Sequence, residues 1–218
     1  MPREKRDFTR ISGIRNPSLI VIATEGEKTE QQYFNGVKLK CKEYSSKIHV
    51  EILDPRPDGL SAPKYVLHQL NHYKKEYGMN SNDELCMVID RDKQSWTEAE
   101  ISSIAEECSN KKYLLALSNP CFEVWLLLHL KDIDSYPEEQ KIQLFENKRS
   151  YLKTEIRNAL GEFNPSNLDI DNFWHGIDNA IQRAEFLDTE PNDRWPNSLG
   201  TRVYLVMKKL MNSINQKA

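Results

Sequence analysis

Apolar positions along the first half of the chain switch repeatedly between two periods. Leu19–Ala23 is an unbroken, mostly β-branched run, as expected of a strand covered on both faces. Thr29 with Gln32 three positions later has the form of a capping box, and Tyr33, Phe34 and Val37 give the helix that follows an apolar stripe. Ile48, Val50 and Ile52 alternate with His49 and Glu51, predicting a half-exposed strand. After the loop from Asp54 to Gly59, Ser61 is placed to cap a helix with Pro63 in its first turn and Val66, Leu67, Leu70, Tyr73 and Tyr77 inward. Leu85–Ile89 is a third strand. Thr97 and Glu100 form a second capping box, ahead of Ile101, Ile104 and Ala105. Tyr113–Leu117 is a fourth strand, after which Asn119 and Pro120 are read as cap and opening of an apolar helix through Leu130.

Strand and helix in strict alternation predict an α/β fold with a parallel sheet flanked by helices. No strand candidate follows Leu117. Helices are expected over Glu138–Phe163, Asn172–Leu187 and Thr201–Ile214, separated by loops rich in Asn, Pro and Asp. The expected division is a basic N-terminal arm (1–15), an α/β domain (16–130) and a helical C-terminal region (131–218) packed on it.

Composition narrows the classes. With 39% hydrophobic and 29% charged residues a core is feasible and long disorder is not implied. A net charge of −3 gives no global attraction to nucleic acid, so a polyanion would have to meet a local basic patch or bound cations. Cys41, Cys86, Cys108 and Cys121 are widely spaced, which argues against a zinc site and reads as thiols of a reducing cytoplasm. CFEVWLLLHL is too short for a membrane span, and MPREKRDFTR is not followed by the apolar core of a secretory signal.

The chemistry lies at two strand ends. Glu25 tips the first strand in SLIVIATEGEKTE; Asp90 tips the third in ELCMVIDRD, with Asp92 two positions on. Ligands of a parallel sheet bind at the carboxyl edge of the strands. If strands one and three are neighbours, the three carboxylates converge, and they repel unless protonated or joined by a cation. Carboxylates without His or Cys suit Mg²⁺ or Mn²⁺. Glu25, Asp90 and Asp92 are the expected catalytic residues of a metal-dependent phosphodiester-cleaving centre, Glu25 as ligand or as general acid/base. Gly26 is read as freeing the backbone to turn. The plainer alternative is that acids near helix N-termini only complement the helix dipole and that Asp-Arg-Asp is a self-paired turn.

A strand ending in Glu-Gly, Thr-Glu opening a helix, and a later strand ending in Asp-x-Asp resemble the Toprim domain of topoisomerases, primases and OLD-type nucleases. EGEKTEQQYF, LSNPCFEVWLLLH and PNSLGTRVYLVMKKL more narrowly resemble the RloB-like family, from about Arg15 to Leu210. The resemblance implies a Toprim-like fold and acidic ligands for Mg²⁺ or Mn²⁺. The implied role is an antiviral-defence effector that cuts nucleic acid (viral DNA, host DNA or tRNA), often beside a partner ATPase. By position Glu25 is the Toprim glutamate, Asp90 and Asp92 the Asp-x-Asp pair, and Glu30 a further acid that would join a second metal. Lys93, Gln94 and Ser95 follow where the pattern often has another acid or glycine.

Ser118 and Asn119 fall on the same edge. Glu123, inside an apolar helix, is a ligand, the partner of a base, or at an exposed helix end. Lys28, Arg91, Lys93 and Asn119 are candidate nucleic-acid contacts. Arg3, Lys5, Arg6, Arg10 and Arg15, and separately Lys148, Arg149, Lys153 and Arg157, are phosphate-contacting patches or solvated faces. Trp174, Trp195 and Tyr204 read as core rather than base-stacking platforms, His129 as structural, and His68, His72 and His175 as an incomplete metal set. Two competing functions remain open: a Toprim-like binding subunit without catalysis, which the near-neutral charge favours, and primer synthesis. Oligomer formation is compatible with everything above.

Overall fold

A computed structural model describes residues 18–44, 48–55, 60, 62–91 and 95–215. The expected alternation is present: β1 (Ser18–Thr24), α1 (Thr29–Tyr44), β2 (Ile48–Ile52), α2 (Pro63–Tyr77), β3 (Glu84–Asp90), α3 (Glu98–Lys111), β4 (Leu114–Asn119) and α4 (Glu123–Leu130). Then come α5 (Glu138–Glu146), α6 (Tyr151–Leu160), α7 (Asp171–Trp174), α8 (Ile177–Leu187), the two-residue β5 (Gly200–Thr201) and α9 (Val203–Asn215).

The sheet order is β2-β1-β3-β4-β5, parallel except for the last pair. β1 lies between β2 and β3, with Thr24 level with Val88. Successive residues of β1 face opposite ways. Leu19, Val21 and Ala23 meet α2 and α3, whereas Ile20 and Ile22 join the core formed with α1, α4, α8 and α9. Burial on both faces is why the strand reads as continuously apolar. α4 is enclosed, with Val124 through Leu128 fully buried.

The C-terminal helices are wrapped on this sheet: Leu152, Ile156, Ile177 and Leu210 share one core with Ile20 and Val50. Several local expectations change. β5 was not expected; two residues carry no periodicity, and pairing with Ser118 and Asn119 makes the strand. The long helix over 138–163 breaks at Asn147, Arg149 and Ser150, all left-handed (φ 45°, 54° and 57°). There the Asn147 side-chain oxygen accepts from the Leu152 N–H (3.0 Å), a local bond that competes with helix continuation. The helix over 172–187 splits at Gly176, where a Cβ would come within 2.6 Å of the His129 carbonyl oxygen.

At α1 the Gln32 N–H donates to the Lys28 carbonyl, so Thr29 lies inside the first turn instead of capping it. Thr97 and Glu100 do form their capping box. Asn119 is not a cap: it ends β4, and α4 starts at Glu123 behind Phe122. The Ser61 cap lies outside the described residues. Among the described residues no helix is long and apolar enough to cross a membrane.

Candidate carboxylate site

The carboxyl ends of β1 and β3 meet. One residue past β1 the Glu25 N–H donates to the Val88 carbonyl (2.9 Å), carrying the ladder to the sheet edge. The Glu25 carboxylate then bridges the tips. Its Oε2 accepts from the Asp90 N–H (3.1 Å), 65 residues away, and its Oε1 from the Trp96 indole N–H (3.1 Å). The turn behind it is stapled by side chains. Thr24 Oγ1 donates to the Gly26 carbonyl (2.9 Å), and Gln31 Nε2 donates to Thr24 Oγ1 (3.0 Å) and the Leu53 carbonyl (2.9 Å).

Glu30, in the first turn of α1, folds back over Gly26. The N–H groups of Glu30 itself and of Gly26 lie near enough to its carboxylate to favour the charged form. A Cβ on Gly26 would collide with this carboxylate. Gly26 is not left-handed. Its role is therefore to leave room for an acid, and not to permit a turn.

Asp90 ends β3 with its carboxylate toward the start of α4, where the nearby Phe122 N–H favours its charged form. Although Asp90 as a residue is part-exposed, its Oδ1 is sealed from solvent and has no hydrogen-bond partner among the described residues. Glu123, the first residue of α4, is 7% exposed. Its Oε1 lies 3.4 Å from Lys153 Nζ on α6.

These four acids form one electrostatic group. Burial, then the charges of Glu123 and Glu25, lifts the Glu30 carboxyl from 4.5 to about 7. Burial, then Glu30, Glu123 and Glu25, holds Asp90 well above its ordinary value. The neighbouring Cys121 thiol is pushed up by burial and by Glu123 and Asp90. Removal from water and mutual repulsion act in the same direction, so Glu30 and Asp90 hold their protons to higher pH than free carboxyls do. A hard divalent cation would relieve both terms, and the donor set is all oxygen. Among the described residues, however, no three His, Cys, Asp or Glu side chains are disposed as ready ligands of one ion. The reason is visible in the contacts: Glu25 is turned to Asp90 N–H and Trp96, and Glu123 to Lys153. Asp92 and Lys93 lie outside the described residues, as does the N-terminal arm.

The remaining candidates separate by burial. Lys28 is exposed in the turn before α1. Arg91 is buried, its Nη1 donating to the Trp96 carbonyl (3.0 Å), so it braces the loop that carries the indole. Asn119 is buried and donates to the Pro196 carbonyl (2.8 Å); Ser118 Oγ shares a hydrogen bond with Thr201 (2.8 Å). Arg91 and Asn119 hold the scaffold and present nothing to a surface ligand. Trp195 and Tyr204 are core, and Trp174 stacks on Tyr44 (5.9 Å). His129 is structural, 3.0 Å from the Tyr33 hydroxyl. His68, His72 and His175 are exposed, His72 beside Glu76 (3.5 Å). Two participants were not assigned from the sequence: Trp96, and Lys153 as the partner of Glu123. An indole in the polar loop after an acid-tipped strand was the available signal for the first. Nothing local signalled the second.

The sequence model of the RloB-like proteins matches residues 20–210, and the chain belongs to that family. No curated protein and no solved structure matches it significantly.

Proposed function

We propose that this RloB-like protein is a Mg²⁺- or Mn²⁺-dependent nuclease that cleaves DNA or RNA, tRNA among the candidate targets, as an effector of antiviral defence under control of a partner ATPase. The observation that carries the reading is the sealed Oδ1 of Asp90, without a hydrogen-bond partner among the described residues, beside three further acids at the carboxyl edge of a mostly parallel sheet. A buried acceptor without a donor costs stability unless something occupies it, and an all-carboxylate set fits a hard cation. The Toprim resemblance of the Glu-Gly-x-x-Thr-Glu and Asp-x-Asp segments supports the same reading.

Glu25, Glu30, Asp90 and Glu123, with Asp92, would hold the ion. When bound, such an ion neutralises phosphoryl oxygens and makes a water nucleophilic near neutral pH. The chain's own contribution is positioning and proton handling. Trp96 and the Asp90 N–H fix the Glu25 carboxylate at the strand tips. Without the ion Glu30 is carried to about 7 by burial and its neighbours, so ion binding there would displace a proton near neutral pH. Burial around Asp90 seals its Oδ1 from bulk solvent.

The test is cleavage of DNA and RNA by purified protein with Mg²⁺ or Mn²⁺. The wild type should cut, and the Glu25→Ala and Asp90→Ala variants should not. Equal cutting by all three would mark contamination and remove the assignment. A second reading, a binding subunit without catalysis, is favoured by the engagement of both Glu25 oxygens and by the Glu123–Lys153 pair. Under it these variants keep partner binding and no preparation cuts.

A further inference from the structure

Lys153 is not explained by the fold alone. It sits on α6, outside the sheet, yet its Nζ reaches Glu123 Oε1 at 3.4 Å. The two partners are held unequally. The Glu123 side chain is 9% exposed and fixed in the first turn of a buried helix, whereas the Lys153 side chain is 41% exposed. The separation exceeds that of a tight charge-assisted hydrogen bond, about 2.7–2.9 Å, so the lysine is in ion contact without a tight hydrogen bond.

α6 continues the positive charge outward. Arg157 lies one turn beyond Lys153 on the same helix face and is exposed. Lys148 and Arg149 are exposed in the turn before the helix, Lys148 beside Glu146 (2.9 Å). Lys153, with Arg157 a turn beyond it on α6, is the base in contact with the carboxylate cluster. A chain of net charge −3 has no general attraction for a polyanion, which makes such local bases matter.

Resting on the nuclease reading, we propose that Lys153 is an exchangeable counter-ion of the cluster. It neutralises Glu123 until a divalent cation takes that carboxylate, and is then released to hold a phosphate of the nucleic-acid backbone. An ammonium beside Glu123 and a cation on Glu123 are mutually repulsive, so binding one expels the other. The expelled lysine keeps its long, half-exposed stem on α6 and is within reach of a phosphodiester lying along that helix. Metal and substrate thereby become linked: the ion exposes a binding group for the polymer that the site acts on, and the empty site conceals it.

The experiment is a calorimetric Mn²⁺ titration of the full chain as wild type, K153M, K153Q, K153R and R157M. It is paired with binding of phosphorothioate DNA and RNA oligonucleotides with and without Mn²⁺. Removing the competitor should tighten Mn²⁺ binding by K153M and K153Q roughly fivefold, the worth of a partly exposed ion pair. R157M, with the same charge change but no contact to Glu123, should shift it much less. Wild type and K153R should bind oligonucleotide more tightly when Mn²⁺ is present, and K153M and K153Q should lose that gain. Unchanged Mn²⁺ affinity in K153M and K153Q, an equal shift in R157M, or an oligonucleotide gain that survives both variants would overturn the exchange while leaving the metal site intact. Absence of Mn²⁺ binding in the wild type would instead remove the nuclease reading, and this inference with it.

Discussion

Glu30→Gln isolates the electrostatic cost of the cluster. The substitution keeps a carbonyl oxygen near the Gly26 N–H but removes a group that must ionise in a buried, negative site. In the unfolded chain this carboxyl titrates near 4.5; in the fold it titrates near 7. Below 4.5 it is neutral in both states and contributes no difference. Between those values the native state holds a proton that the unfolded state has lost, so wild-type stability declines as pH rises, and the full penalty is present above 7. At 1.36 kcal/mol per pH unit that penalty is at most about 3 kcal/mol. For a chain of this size it corresponds to about 6–12 °C in Tm.

The assay is urea or thermal unfolding of metal-free wild type and E30Q from pH 4 to 8.5, read as the difference between them. The difference is essential because His129 contributes a slope of the opposite sign over part of the range. Glu25, Asp90 and Glu123 face Glu30, and Lys153 and Cys121 border them, so the transition will be broader than that of a single group. E30Q should gain on wild type through the window from 4.5 to 7 and level off above it. A difference that is flat with pH, or that favours wild type at pH 8, would refute the idea that Glu30 is forced to hold a charge there.

Gly26→Ala should displace the Glu30 carboxylate at a cost of about 1 kcal/mol. The loss should largely vanish in a Glu30→Ala background, and a double-mutant cycle measures it. His129 is held neutral by burial, its pKa lowered to about 3, so wild-type stability should fall as pH drops from 6.5 toward 3. H129Q, which retains an acceptor for the Tyr33 hydroxyl, should flatten that acid limb in unfolding experiments. Arg202 pairs with Asp188 through Nε (2.9 Å) and Nη2 (3.0 Å), and Tyr204 donates to the same carboxylate (3.0 Å). Arg202→Met leaves Asp188 buried and uncompensated and should cost about 3–5 kcal/mol by denaturant unfolding; a loss under about 1 kcal/mol would show that the carboxylate finds water.

Much of this protein is written locally. The β-branched runs of β1 and β3, the alternation in β2 and the Thr97–Glu100 box each express a preference within a window of a few residues, and the elements formed there with ends shifted by a residue or two. Glu25 and Asp90 were legible as a pair because acids at the ends of apolar strands are unusual and parallel sheets align such ends on one edge. What the local pattern could not contain is which neighbours arrive from far along the chain. The β1–β3 pairing, the entry of Glu123 from α4 and the reach of Lys153 from α6 all depend on packing between distant segments. So does dryness. Arg91 and Asn119 read as surface polar groups and are interior, and Gly26 reads as a flexible turn yet is the seat of a carboxylate. Sequence determined which groups are ionisable and which elements carry them. Only tertiary structure decided which of those charges lose their water together, and it is that shared loss which holds protons on Glu30 and Asp90.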